Sequence, residues 1–369
     1  MPTANEEYQD RMISHAVGLR RLSSSTLRRV VAILNATRPD VRSLILDRMA
    51  RIEERGFDIG PATTQHLTQL DADLARLLED AHNAITRTML GEMESLARYE
   101  VDYNNRAAAE VLPVAIQTVA LTPEQLQKIV YSQPFQGKVL RDHMADFRAE
   151  DRARIMRAIR MGMVEGETPT QIARRVEGTG PLKYKDGVRE VSRRGLQTIT
   201  QTATSHVANR ARQAWAIGSG VVRQEAYVAT LDSKTTLQCS SLDGRVFDVG
   251  KGPTPPLHYN CRSTRAAVFD DGLIGERPAN AVRAKELEGL SPSARKARVR
   301  ELVGPVPAET TFEQWLSRRP KGFVDDYLGP GRAELWRNGK ITLRDLVDRN
   351  GQPWTLAELA RREGLAAAA

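Results

Sequence analysis

Cys239, His258 and Cys261 are the residues of this chain whose types and spacing could do chemistry, and the two cysteines are the only ones in 369 residues. Thiolate sulfur and imidazole nitrogen are preferred ligands of zinc, which takes three or four such donors around a tetrahedron. Asp232 is a candidate for the fourth. A cysteine beside a histidine, with an aspartate to orient the ring, is also the arrangement of a nucleophile and its base. Both chemistries need the groups within bonding reach, which spacing alone does not fix. A third reading needs neither ligand nor substrate. In it Cys239 and Cys261 are small buried apolar groups, His258 hydrogen-bonds the loop around it, and Asp232 caps the turn Ser233–Thr236. The metal-free reading is the preferred expectation, with zinc on Cys239, His258 and Cys261 as the alternative.

These residues need elements to carry them. Asp243-Gly244, between Leu242 and the stretch Val246–Val249, is the pair that a two-residue type I′ hairpin turn demands, since both central positions take positive φ. A Gly/Pro-rich loop runs from Gly250 to Pro256. Pro255-Pro256 then stiffens the segment that delivers His258 and Cys261 beside a short strand, Thr264 to Val268. Val221 to Thr230 has strand propensity and leads into the same region. A small β-rich module near 221–268 is the expectation. Arg245, Arg262 and Arg265 flank it as candidate nucleic-acid contacts.

The remainder reads as helix. Leu27, Val30, Val31 and Leu34, then Leu44, Ile45, Met49 and Ile52, keep helical spacing on either side of Arg38-Pro39, and Gly56 fits a stop. From about Thr63 the stripe Leu67, Leu70, Leu74, Leu77, Ala81, Ile85, Met89, Met93 and Leu96 predicts a long helix. Thr168-Pro169-Thr170-Gln171 is a helix start, with a threonine cap, proline first and glutamine as reciprocal partner. Residues 181–195 read as a basic loop. A helix follows from about Leu196 to Ile217, in which His206 is a packed histidine more simply than a ligand. Phe269 to Ala281 reads as a linker and 283–303 as an exposed basic helix. Trp315, Trp336 and Trp354 anchor a docked C-terminal part, with capping boxes at Thr310…Glu313 and Thr355…Glu358 and a frayed LAAAA end. The fold class is therefore mainly α (α+β), in four segments. These are a helical N-terminal domain 1–180, a β-hairpin module 181–270, a basic linker 271–303 and a helical subdomain 304–369.

Aromatic residues make up only 5% of the chain, and its wealth of Ala, Leu, Arg and Glu favours helices over sheets. A net charge of +8 makes a polyanion partner plausible. No apolar run approaches the roughly 20 residues of a membrane span, so none is expected. The polar, acidic start MPTANEEYQD is unlike a secretory leader, which points to synthesis in the cytoplasm, where a Cys239–Cys261 disulfide is not expected. With no Walker A loop, G-x-S-x-G or H-E-x-x-H, an enzyme is not expected either.

The order Asp232-Ser-Lys-Thr235, Cys239, Leu242-Asp243-Gly244-Arg-Val-Phe247, Pro255-Pro256-Leu-His258 and Asn260-Cys261-Arg262 resembles the signature of the phage Mu F-like head morphogenesis proteins, minor capsid proteins of tailed phages. The stretch from Arg154 to Val176 is similar to the helical lead-in of the same family. Two positions depart from it: Thr236 replaces the first cysteine of a common Cys-x-x-Cys, and Ser263 the second of Cys-Arg-Cys. The resemblance implies a structural virion component that acts in head assembly near the portal. Portal and capsid proteins would be its partners, and it would contact or accompany the packaged phage DNA. It marks Asp232, Cys239, Asp243, Gly244, Pro256, His258, Cys261 and Arg262 as the structural motif. The alternative is a metal-dependent hydrolase or nuclease centred on Cys239, His258 and Cys261.

Overall fold

The computed structural model describes residues 4–53, 61–111, 118–268, 276–307 and 309–362. Gly56, residues 269–275 of the expected linker and the LAAAA end lie outside them. Seven helices come first in the described chain: α1 (Ala4–Ala36), α2 (Arg38–Glu53), α3 (Pro61–Val111), α4 (Pro123–Gln127), α5 (Leu140–Val164), α6 (Pro169–Glu177) and α7 (Arg189–Ser219). Then come β1 (Gln224–Val228), β2 (Leu231–Asp232), α8 (Leu237–Ser240), β3 (Val246–Asp248), β4 (Thr264–Val268) and β5 (Glu276–Asn280). The chain continues through α9 (Pro292–Leu302), β6 (Val303–Pro307), α10 (Phe312–Ser317), α11 (Lys321–Leu328), α12 (Pro330–Arg337) and α13 (Leu356–Arg362). The fold is mainly α, as expected, with two small three-stranded sheets among the described residues, the second of which reaches beyond the expected β module to β5 and β6. None of these helices is long and apolar enough to cross a membrane.

The chain forms two compact units drawn from discontinuous pieces, whereas the sequence suggested four contiguous segments. One unit comprises Arg20–Ala97 and Pro123–Val207; the other comprises Met1–Leu19, Arg98–Thr122 and Ala208–Ala369.

In the first unit, Val41, Ile45, Met49 and Ile52 of α2 meet Leu70, Leu74 and Leu78 of α3, Ile155 and Ile159 of α5, and Ile172 and Val176 of α6. Their spacing of three or four residues puts each set on one helix face, so a single apolar core follows from the pattern. α6 starts where predicted. The Thr168 hydroxyl accepts the Gln171 N–H, and the Gln171 side chain accepts the Thr168 N–H. α7 starts at Arg189, earlier than the expected Leu196, because this basic stretch is partly core. Arg189 is buried and donates to the Glu177 carboxylate and the Leu34 carbonyl. His206 is buried, its ring centroid 5.1 Å from that of Phe135. A two-residue turn with both φ positive does occur, but here: Gln136 (+49°) and Gly137 (+79°) connect Phe135 and Lys138, which exchange backbone hydrogen bonds of 3.0 and 3.2 Å.

In the second unit, β1 is the centre of one sheet, antiparallel to β3 and β4. The other sheet runs β2-β5-β6, with β5 parallel to β2 and antiparallel to β6. β5 thus occupies much of the expected linker. Leu231 and Ala279 from this sheet join Phe312, Trp315, Leu316, Phe323, Val324, Leu328, Leu343 and Leu346 in one core. The C-terminal helices are therefore packed on the β module. α10 is capped by Thr311 with Gln314, one residue later than the expected Thr310…Glu313 pair. The Thr355…Glu358 box forms as expected at the start of α13.

A candidate metal centre in the beta module

Short-range structure brings the thiols and the imidazole together. The Thr236 hydroxyl accepts the Cys239 N–H at 3.4 Å and starts the single turn of α8, which fixes Cys239. Pro255-Pro256, joined by a cis peptide, leads into a second turn, in which the Cys261 N–H reaches the His258 carbonyl at 3.2 Å. Asn260 takes the left-handed position of that turn, φ +58°, as asparagine tolerates. Residues 258 and 261 therefore face the same way. The Cys239 sulfur lies 3.2 Å from His258 Nε2 and 3.7 Å from the Cys261 sulfur. All three donor atoms fall within 4.8 Å of one another. Both cysteines are free thiols and buried, and His258 is half-buried.

Partners around the three groups orient them. His258 Nδ1 lies 2.9 Å from the Tyr259 carbonyl, which can only accept. The ring proton therefore sits on Nδ1 in the neutral imidazole, and the Nε2 lone pair faces the thiols. A backbone carbonyl holding the far nitrogen is a common support of metal-bound histidine. The Tyr227 hydroxyl donates to the Cys239 sulfur at 3.2 Å.

The electrostatics divide the two thiols. Cys239 is pushed up to about 12, first by its hydrogen bond with Cys261 and then by burial. Cys261 is pulled down to about 6, first by the hydrogen bond from Cys239 and, against its burial, by the N–H groups of Leu257 and Ser263. His258 is raised by its bond to Cys239, opposed by burial. The two thiols are thus driven apart, Cys239 toward the neutral form and Cys261 toward the thiolate.

The geometry meets part of the requirement for zinc. Zinc–sulfur bonds of about 2.3 Å at the tetrahedral angle set a sulfur–sulfur edge of about 3.8 Å, and the thiols stand 3.7 Å apart. The residue types are those zinc prefers. Asp232 does not join them: its carboxylate receives the Arg262 guanidinium at both oxygens, the Lys234 N–H at 2.9 Å and the Thr235 hydroxyl at 3.2 Å. It caps the local turn and holds Arg262.

The remaining motif residues have other places. Asp243-Gly244 is no type I′ hairpin. Only Gly244 has positive φ, +75°, and the turn leads from α8 into β3, which pairs with β1. Asp243 is instead a buried hub. Its carboxylate accepts the N–H groups of Ala229 and Phe312, each at 2.6 Å, and both terminal nitrogens of Arg277, each at 2.9 Å. Arg265, expected as a phosphate contact, is buried, faces Glu225 at 3.4 Å and donates to the carbonyls of Lys251 and Pro253. Arg262 is spent on Asp232. Of the three arginines only Arg245 is exposed, its guanidinium 5.2 Å from the Phe247 ring centre.

Sequence reasoning missed Tyr227, Ser263 and Arg277. Tyr227 sits on a strand with an ordinary apolar pattern, and Arg277 belongs to a stretch that reads as a linker. Ser263 was visible only as a cysteine lost, although its buried hydroxyl acts on both thiols and on Tyr227.

Residues 153–266 match the family model described as phage Mu protein F like protein. The matched segment runs from α5 into β4 and contains all three members of the centre. No curated protein and no solved structure matches the chain.

Proposed function

We propose, from the match of residues 153–266 to the Mu F-like family model, that this chain is a minor head protein of a tailed bacteriophage. In this reading it acts in head assembly near the portal vertex, stays in the virion, and touches or accompanies the packaged DNA. The observation that carries it is the family match itself, which spans the module whose side chains are locked by the thiol–imidazole centre and the Asp243 hub. The net charge of +8 supports a partner rich in phosphate. Quantitative mass spectrometry of gradient-purified heads, with capture on the purified portal, tests the proposal. A few copies per head and retention by the portal are expected; heads that contain none of the chain would overturn it.

The role of the centre is structural rather than catalytic. Both thiols are buried, which closes them to a substrate, and Cys239 in addition is held toward its protonated form. His258 is oriented by a backbone carbonyl and not by a carboxylate. Zinc is proposed here in place of the metal-free pair expected from the sequence, because two sulfurs and an imidazole nitrogen lie within 4.8 Å of one another and the sulfurs stand at the edge length of a zinc tetrahedron. Cys239, His258 and Cys261 would hold it, and its contribution would be to join α8 to the loop after Pro256. His258→Ala separates the readings. A structural centre loses thermal stability, whereas a hydrolase would keep its fold and lose only activity.

A further inference from the structure

Every other described helix of eight or more residues buries at least one side chain; α9 buries none. Its C-terminal end is tied to the core, where Leu302 packs against the cluster that contains Phe312 and its carbonyl accepts the Ala281 N–H at 2.9 Å, and the rest is held locally. The Ser291 hydroxyl accepts the Ala294 N–H at 3.3 Å, Pro292 opens the helix, and Arg298 pairs with Glu301 at 2.7 Å. Eleven residues anchored to the core at one end are a marginal helix by themselves. Its composition is one-sided: Arg295, Lys296, Arg298 and Arg300 face a single carboxylate, Glu301, within the helix.

Two features separate a phosphate ligand from a protein one. A helix that docks on a protein lays down an apolar stripe with a large anchor, and charged residues are depleted from the centre of such contacts. The apolar residues of α9 are two alanines, Val299 and Leu302, with no aromatic ring. The cations, by contrast, match a polyanion in density. From Arg295 to Arg300 the helix rises about 7.5 Å, a length over which duplex DNA carries about four phosphate charges. At about 100° per residue Arg298, Arg295, Lys296 and Arg300 span an arc of about 200° that also holds the half-buried Val299 and Leu302, so the cations fringe the packed side, with Arg295, Lys296 and Arg300 exposed. Arginine suits phosphate because its planar fork donates in pairs. The Arg298–Glu301 pair is at the surface and worth little, so a phosphate displaces Glu301 at small cost.

We propose that α9 is a sequence-independent contact for the phosphate backbone of duplex DNA, carried by Arg295, Lys296, Arg298 and Arg300. The assignment rests on the reading that this protein meets packaged DNA, and it replaces Arg262 and Arg265, which are engaged internally. The test is fluorescence anisotropy of the full chain with a labelled duplex of scrambled sequence, at salt from about 50 to 200 mM. The wild type is compared with a variant carrying Arg295→Gln, Lys296→Gln, Arg298→Gln and Arg300→Gln. The variant is expected to bind at least about tenfold more weakly at the low salt, with a plot of log affinity against log salt shallower by about 3 to 4. Its thermal midpoint should not move, since no buried side chain is touched. Equal affinity and slope for the two proteins would remove α9 from the interface and leave the functional reading standing. A wild type that does not bind the duplex at low salt would overturn the assignment together with the DNA contact of the functional reading, while membership of the head is decided by the mass spectrometry. Unchanged DNA binding with lost capture by the portal would give α9 to a protein partner and overturn the assignment.

Discussion

The β module contains two buried polar centres that solve the same problem differently. At Asp243 an anion is matched from within the chain. One guanidinium and two backbone N–H groups take up both oxygens, and the donors come from β5, the segment after β1 and the start of α10. At Cys239, His258 and Cys261 the groups meet one another and a neighbouring hydroxyl: the sulfurs lie 3.7 Å apart, His258 Nε2 is 3.2 Å from Cys239, and the Tyr227 hydroxyl donates to Cys239. The first centre is complete as it stands. The second, on the zinc reading proposed above, takes its cation from solution. On that reading the fold closes one polar centre with residues distant in sequence and leaves the other to a bound ion.

The largest effect should come from breaking the complete centre. Removal of one partner of a buried ion pair leaves an uncompensated charge and costs about 3–5 kcal/mol. Asp243→Ala strands Arg277, which is buried beside Ala229 and Thr310. Urea unfolding should show a loss of that size, with the near-ultraviolet signal of Trp315 lost along with the β module, since both lie in one core with Leu231. A double-mutant cycle with Arg277→Ala should return a large coupling. A cost under about 1 kcal/mol would mean that the hub is not a staple, and the contrast between the two centres would collapse.

A smaller effect, and one that depends on conditions, belongs to the open centre. Elemental analysis of the purified chain should find about one zinc per molecule. A strong chelator should lower the thermal midpoint, and added zinc should restore it. With free zinc at about a thousand times its dissociation constant the stabilisation is about 4 kcal/mol. Cys261→Ser should abolish both the zinc and the response to chelator. Ser263→Cys should sharpen the comparison by placing a third thiol where a hydroxyl already acts on the other two, and zinc should then survive a weaker chelator. A chain with no zinc and no response to chelator would make the thiol pair a closed, metal-free staple like Asp243.

How much of this was legible depended on the range of the interaction. Helix starts at Thr168 and Thr355 were readable because cap and partner lie within one turn. The convergence of Cys239, His258 and Cys261 was readable as a set of types, since the spacing of 258 and 261 fits a turn, but not as a distance. Asp243-Gly244 misled because its local signal is that of a hairpin, while the carboxylate is claimed by residues 14, 34 and 69 positions away. The same turn geometry arose at Gln136-Gly137, where no strong dipeptide signal announced it. Arg265 and Arg189 looked like surface cations because a sequence does not show that Glu225 and Glu177 are waiting in the interior. Long-range pairing of charges is the part of this fold that composition conceals.

The smallest test concerns the glycine beside the hub, and it asks whether the hub needs its own backbone turn. Gly244 has φ +75°, which costs any residue with a β-carbon about 1 kcal/mol, and a β-carbon there would stand 3.0 Å from the Thr311 methyl. Thr311 caps α10, whose first N–H group, from Phe312, is bound by Asp243. Gly244→Ala should therefore cost about 1–2 kcal/mol, the strain of the turn plus a displaced cap. The loss should be largely absorbed when Asp243 is already alanine, because the turn then has no carboxylate to position. Full additivity of the two substitutions would show that Gly244 serves only the chain reversal, and that the hub's geometry is set by Arg277 alone.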